Sequence, residues 1–196
     1  MTFSKSVKTL STLLLFPSLL LAQKSDASFK KECANIVTAF AKQDYRTLNK
    51  YIDNANGVYI ITRPGAIDAL NKYDSLSDQA FSFYPYKGQI AAKGLVLKFG
   101  TAPKYNCGDE KWNKNGFYAD STHHSRLSDL MDFLTKNEMH GYGTKEQTKA
   151  KGLESKSRKI VYTELAKKHG VVFYLTLIDK KWYITLIDMV ASNCGA

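Results

Sequence analysis

Residues 170–190, GVVFYLTLIDKKWYITLIDMV, constrain this chain more than any other stretch. The segment from Tyr174 to Asp179 returns nine residues later as Tyr183 to Asp188. Both halves are rich in β-branched and aromatic residues, which favours strands over a helix. The one polar break is Asp179-Lys180-Lys181, so the spacing predicts a β-hairpin that turns there. With Lys180 and Lys181 at the tip, Leu177 faces Ile184, Thr176 faces Thr185 and Leu175 faces Leu186. A four-residue loop, 179–182, keeps the same register. Either way Leu175, Leu177, Ile184 and Leu186 share one side, and Tyr174, Thr176, Tyr183 and Thr185 the other. A two-stranded ribbon is not stable alone, so further strands must flank it.

Lys5 and Lys8 precede an apolar run from Leu10 to Leu21, closed by Ala22. The run is short for a membrane span and is broken by Pro17, so residues 1–22 read as a signal peptide with no transmembrane anchor after cleavage. No Cys follows the run to accept a lipid. Residues 23–196 are then expected to form a single α+β domain. The chain carries 28 basic and 18 acidic residues, a net charge of +10. In an exported protein, periplasmic or extracellular, this charge points to envelope material, acidic polysaccharide or lipid headgroups and away from nucleic acid. A basic surface with no specific partner is the alternative. Export permits a disulfide. Cys107 and Cys194 both sit in Asn-Cys-Gly, in turn-like contexts, and are expected to pair; Cys33 lies on an apolar helical stripe. Three free thiols are the alternative.

Residues 23–28 read as loose. Phe29, Cys33, Ile36, Val37 and Phe40 then recur with helical spacing, with Asp26 or Ser28 as cap. Asp44 opens a second short helix ended by Asn54, Asn56 and Gly57. Val58 to Thr62 reads as a strand, Ala66 to Tyr73 as a brief helix, and Leu95 to Phe99 as a strand. Asn115-Gly116 is a turn signal. A helix over 125–136 is expected to start under Ser121 or Thr122. Residues 137–157 read as a mobile loop, and the overlapping segment 145–159 holds six basic and two acidic residues. Lys159 to Leu165 reads as a strand, and Lys168 to Gly170 as the turn into the hairpin. Elements segregated in this way predict an α+β fold with an antiparallel sheet.

The opening helix pair and long closing strands, about 29–63 and 158–190, resemble the NTF2-like superfamily of cone-shaped α+β domains. That resemblance implies a curved antiparallel sheet packed against the N-terminal helices, with a pocket between them, and makes 100–157 an elaboration. A cystatin-like α+β fold is the alternative. Tyr105, Cys107, Trp112, Gly116-Phe117 and a Cys near the C-terminus are also similar to small exported bacterial proteins of uncharacterised function, which implies a disulfide and no activity.

NTF2-like domains include enzymes, but many only bind small molecules or proteins, and no catalytic motif carries over. There is no G-x-S-x-G, phosphate loop or dinucleotide fingerprint. His123-His124 with Asp120, and His140, lack metal-ligand spacing. Lys111-x-Asn113-x-Asn115-Gly116 departs from a calcium loop at its first and twelfth positions, Lys111 and Thr122, and reads as a turn. Tyr84, Tyr86, Tyr105, Trp112 and Tyr118 are the candidate ligand-binding aromatics, a set that suits carbohydrate; core packing is the other reading. The expectation is therefore a non-catalytic small-ligand-binding domain without a cofactor, metal or identified catalytic residue. The alternatives are a periplasmic hydrolase or isomerase using a residue in the cone, and an envelope-associated protein using the basic segment.

Overall fold

The computed structural model describes residues 16–81, 91–122, 124–164, 170–192 and 194, with backbone alone for 16–25. Its element order is α1 (Phe16–Lys42), α2 (Tyr45–Leu48), a 3-10 turn (Asn49–Tyr51), β1 (Val58–Thr62), β2 (Ala69–Tyr73), β3 (Leu97–Phe99), β4 (Tyr105–Asn106), β5 (Lys111–Trp112), β6 (Gly116–Asp120), α3 (Leu127–Lys136), α4 (Thr144–Glu154), β7 (Ser157–Thr163), β8 (Gly170–Ile178) and β9 (Lys181–Asp188). A seven-stranded sheet runs β2-β1-β9-β8-β7-β6-β3, and β4-β5 form a separate small hairpin. The sheet is mostly antiparallel; the β1/β9 and β3/β6 pairs are parallel. The fold is α+β, as the element order predicts.

The stripe Phe29, Cys33, Ile36, Val37 and Phe40 is buried and lays α1 against one face of the sheet. The helix does not start at a cap near Asp26 or Ser28. It runs back to Phe16, so residues 23–28 are helical and not loose. Ser28 instead donates to the Glu32 carboxylate one turn on, at 3.5 Å. At the other end Gln43 turns left-handed, and Asp44 N–H reaches back to the Ala39 carbonyl. This closes the helix in the 6→1 pattern of a Schellman cap. Asp44 then caps α2, accepting from the Thr47 N–H and hydroxyl.

Residues 66–73 do not form the expected helix. Ala69–Tyr73 is strand β2, antiparallel to β1. Every residue of β1 is buried, so its backbone needs partners on both edges, and a helix this short has little to stabilise it. The reading of 137–157 as a mobile loop is also overturned. Thr144–Glu154 is helix α4, which buries only Ala150 and Leu153 and turns its lysines to solvent. So thin an apolar stripe leaves little periodicity to read. Helix α3 takes its cap from α4 and not from Ser121 or Thr122: the Glu154 carboxylate accepts from the Ser128 N–H and hydroxyl and from the Ser125 hydroxyl. Helices α3 and α4 cover the sheet face opposite α1.

The closing hairpin exists, in a different register. Ile178 faces Lys181, Leu177 faces Trp182, Thr176 faces Tyr183 and Leu175 faces Ile184, so every pairing near the tip moves by two residues. Asp179 and Lys180 both have positive φ, as a two-residue type I′ turn demands; this follows the strand twist better than the expected tips. Leu186 is then restored to a partner, Tyr174, by a bulge in which Thr185 is the extra residue. The bulge turns Leu186 to the α3 face while Ile184 stays on the α1 face. Leu177, expected inside, is 40% exposed. The two threonine hydroxyls still meet, at 2.7 Å, because the bulge brings Thr185 over Thr176.

Cys107 and Cys194 form a disulfide, tying the β4/β5 hairpin to the segment after β9. Cys33 is a buried free thiol whose ionisation burial strongly opposes. Among the described residues, no helix is long and apolar enough to cross a membrane. The turn expected at 168–170 has Lys168 and His169 outside the described residues.

Candidate functional site

The α1 face of the hairpin-tip end carries a groove of about 620 Å³. Helix α1 supplies Ser28, Phe29 and Glu32, the β7 end supplies Lys156 and Arg158, and the hairpin supplies Leu177, Lys180 and Trp182. The sequence dictates this meeting. Arg158 pairs with Leu175 across β7/β8, and Leu177 pairs with Trp182 across β8/β9. Alternation therefore points all four side chains toward α1. Phe29 and Glu32 are three residues apart and share the helix face that meets them.

Arg158 stands over two rings, its guanidinium carbon 5.0 Å from the Phe29 centroid and 5.1 Å from that of Trp182. The rings lie 4.7 Å apart, tilted by 55°. Ring faces hold a guanidinium by cation–π attraction and leave its N–H donors free for other partners. Among the described residues no acceptor takes them, and no carboxylate pairs with Arg158. Nearby, Glu32 Oε2 is buried without a hydrogen-bond partner, while Oε1 faces Ser28. Lys156 and Lys180 add positive charge at the mouth, and exposed Leu177 adds apolar wall. The groove thus holds two tilted aromatic rings and a cation with open donors. Chemically, such a lining can accept a polar guest with a flat or apolar body.

A second, shallower pocket of about 450 Å³ differs in kind. It is lined by Arg63, Ala66, Ile67, Asp68, Arg126 and residues of α3. Here charges answer one another. Asp68 binds Arg63 and Arg126, each at 2.6 Å, and Arg126 also reaches Asp188 at 3.4 Å. Burial alone would raise the Asp68 carboxyl, but hydrogen bonds from the two guanidinium groups outweigh it and hold it below the usual range. This network ties the β1/β2 loop to the start of α3 and the end of β9. Lys159 points to this α3 face, where burial lowers its pKa against the opposing pull of Asp188 and Asp120.

The aromatics picked out in the sequence are distributed differently. Tyr105 and Trp112 meet edge to face, centroids 5.4 Å apart, across the β4/β5 hairpin on the α3 side. Trp112 is buried against Gly170, where an added Cβ would lie 3.1 Å from its ring. Tyr118 lies beneath Lys114 and Lys98, at 4.3 and 5.8 Å. Tyr84 and Tyr86 lie outside the described residues, as does His123. Asp120 is buried and accepts from Ala102 N–H and from Thr122, which gives it a local structural role. His140 packs on Tyr142, centroids 4.3 Å apart. Asn113 closes a loop with Lys104 through both backbone and side chain, in keeping with a turn and not a calcium loop. Among the described residues, no three His, Cys, Asp or Glu side chains gather as a metal site.

Sequence reasoning missed Glu32, Arg158 and Trp182 as a set, because α1, β7 and β9 bring them together from distant parts of the chain. The available signal was the basic segment 145–159 flanking strand β7, which does contribute Lys156 and Arg158. Comparison with known proteins finds no matching family model, no matching curated protein and no matching solved structure.

Proposed function

We propose that this chain is an exported, non-catalytic binding protein whose α1-side groove takes a small anionic molecule with a flat or apolar body. The observation that carries this reading is Arg158, held over the Phe29 and Trp182 rings with its donors unanswered among the described residues. A guanidinium with open donors can make two parallel hydrogen bonds to a carboxylate or phosphate. The groove volume, about 620 Å³, is in the range of small-molecule sites. Lys156 and Lys180 steer an anion inward, in keeping with the net charge of +10. Export is supported by the apolar run behind Lys5 and Lys8 and by the Cys107–Cys194 disulfide.

An NTF2-like fold is the architecture we favour. It is supported by the opening helix pair on one face of an antiparallel β7-β8-β9 core. On this reading, residues 100–157, which form β4, β5, β6, α3 and α4, are the elaboration between its two ends, and the ligand sits at the sheet's end beside α1. A titration calorimetry experiment with indole-3-propionate, an aromatic carboxylate, tests the binding reading. Wild type should bind, and Arg158→Ala should bind at least about tenfold more weakly, the usual scale for a charge-assisted pair. Arg46→Ala, at an exposed position on α2, should bind as wild type does. Equal affinity in wild type and Arg158→Ala would refute the reading.

A further inference from the structure

We propose that the rim of this groove docks on a bilayer carrying anionic phospholipid. The proposal goes beyond the binding reading, because it holds with or without a small molecule in the groove. Three rings meet at the rim. Phe29 is buried, the Phe99 centroid lies 6.1 Å from its own, and that of Trp182 lies 4.7 Å away. Leu177 faces Trp182 across the hairpin. Two members of this connected set stand in solvent: Phe99 is 46% exposed and Leu177 is 40% exposed. A single exposed apolar side chain is ordinary, but a joined group of them marks a contact surface.

Cations stand around the group. Lys30 lies over the Phe99 ring at 5.2 Å, and Arg158 lies over Phe29 and Trp182. Lys156 and Lys180, both exposed, line the same groove. Set against these four are Glu32 in the lining and Asp179 at the hairpin tip. The pattern selects the partner. An acidic polysaccharide would engage the lysines and leave Phe99 and Leu177 in water. A neutral bilayer would cover Phe99 and Leu177 and leave the lysines unanswered. Anionic headgroups over acyl chains answer both: Phe99, Leu177 and the Trp182 ring enter the interface, and the lysines reach phosphates.

Vesicle flotation of residues 23–196 tests this, because the apolar run 10–21 would bind bilayers by itself. The buried face of α1 begins at Phe29, beyond the cut, and thermal unfolding checks the fold of this chain and of each variant. Wild type should float with vesicles of equal phosphatidylcholine and phosphatidylglycerol, remain unbound with phosphatidylcholine alone, and lose binding as salt rises. Phe99→Ser should weaken binding about tenfold and Lys30→Gln about fivefold. Lys136→Gln, exposed on α3 across the sheet, should bind as wild type does. Brominated acyl chains should quench the emission that Trp182→Phe removes and spare Trp112, buried on the α3 side. No flotation, equal flotation with both vesicles, equal losses in Lys30→Gln and Lys136→Gln, or quenching that survives Trp182→Phe would each overturn the proposal. Neither Phe99 nor Lys30 lines the groove, so indole-3-propionate binding is read separately. Flotation that fails while indole-3-propionate binds removes the docking surface alone.

Discussion

Loss of the Cys107–Cys194 bond should destabilise the chain by about 4–5 kcal/mol. The half-cystines are 87 residues apart in sequence, so the bond closes a loop that includes β5, β6, α3, α4 and strands β7 to β9. In the chain-entropy model a loop of that size removes about 4–5 kcal/mol of freedom from the unfolded chain. The native sheet itself should survive, because the bond joins two peripheral segments and none of the long strands. The assay is urea unfolding of oxidised wild type beside Cys107→Ser/Cys194→Ser, read by far-ultraviolet circular dichroism. The double variant should keep its spectrum while its midpoint falls sharply. With a slope of about 2 kcal/mol per molar urea, the shift is about 2 M. A midpoint shift under about 0.5 M would refute the reasoning, since it would mean the loop is not released into a freer unfolded chain. Loss of the native spectrum would show instead that the bond is needed to hold the sheet.

Gly170→Ala should destabilise by about 1–3 kcal/mol, because its Cβ would lie 2.7 Å from the Tyr162 carbonyl oxygen and 3.1 Å from Trp112; thermal unfolding measures it. Replacing Asp179-Lys180 by Asn-Gly should stabilise by about 0.5–1.5 kcal/mol, since both positions have positive φ; a loss of stability would argue against the type I′ turn. Because the folded pKa of Asp68 is depressed, its stabilising contribution is complete above its unfolded value of about 3.9 and is lost as pH falls through the lower folded value. Asp68→Asn should therefore cost about 2 kcal/mol near neutral pH and show a shallower acid loss than wild type, measured by urea unfolding across pH.

Strong periodicity made much of this fold readable before any coordinates. The stripe from Phe29 to Phe40, strand β1 and the β8/β9 hairpin each carry one pattern that only one kind of element satisfies. The same local logic failed where the decisive partner was remote. Ala69–Tyr73 is a strand because buried β1 needs an edge, and α4 is a helix with just two buried side chains. The hairpin register turned on a matter the pattern could not weigh: like-with-like pairing favoured one tip, while positive φ at Asp179 and Lys180 built another, and Thr185 absorbed the mismatch. Of the candidate site, Lys156 and Arg158 lay in a segment already marked by charge. Phe29 was legible only as core, which it also is, at 2% exposure. Nothing in the sequence sets an arginine of β7 over a phenylalanine of α1, because that contact depends on which sheet face α1 covers.

The most direct test of the groove is the side-chain Nε–Hε resonance of Arg158 in nitrogen-15 spectra, assigned by its disappearance in Arg158→Lys. Titration with indole-3-propionate should move that resonance while Arg63 and Arg126, already closed on Asp68, stay where they are. Movement at Arg63 or Arg126 with Arg158 silent would contradict the account and transfer the site to the opposite face of the sheet.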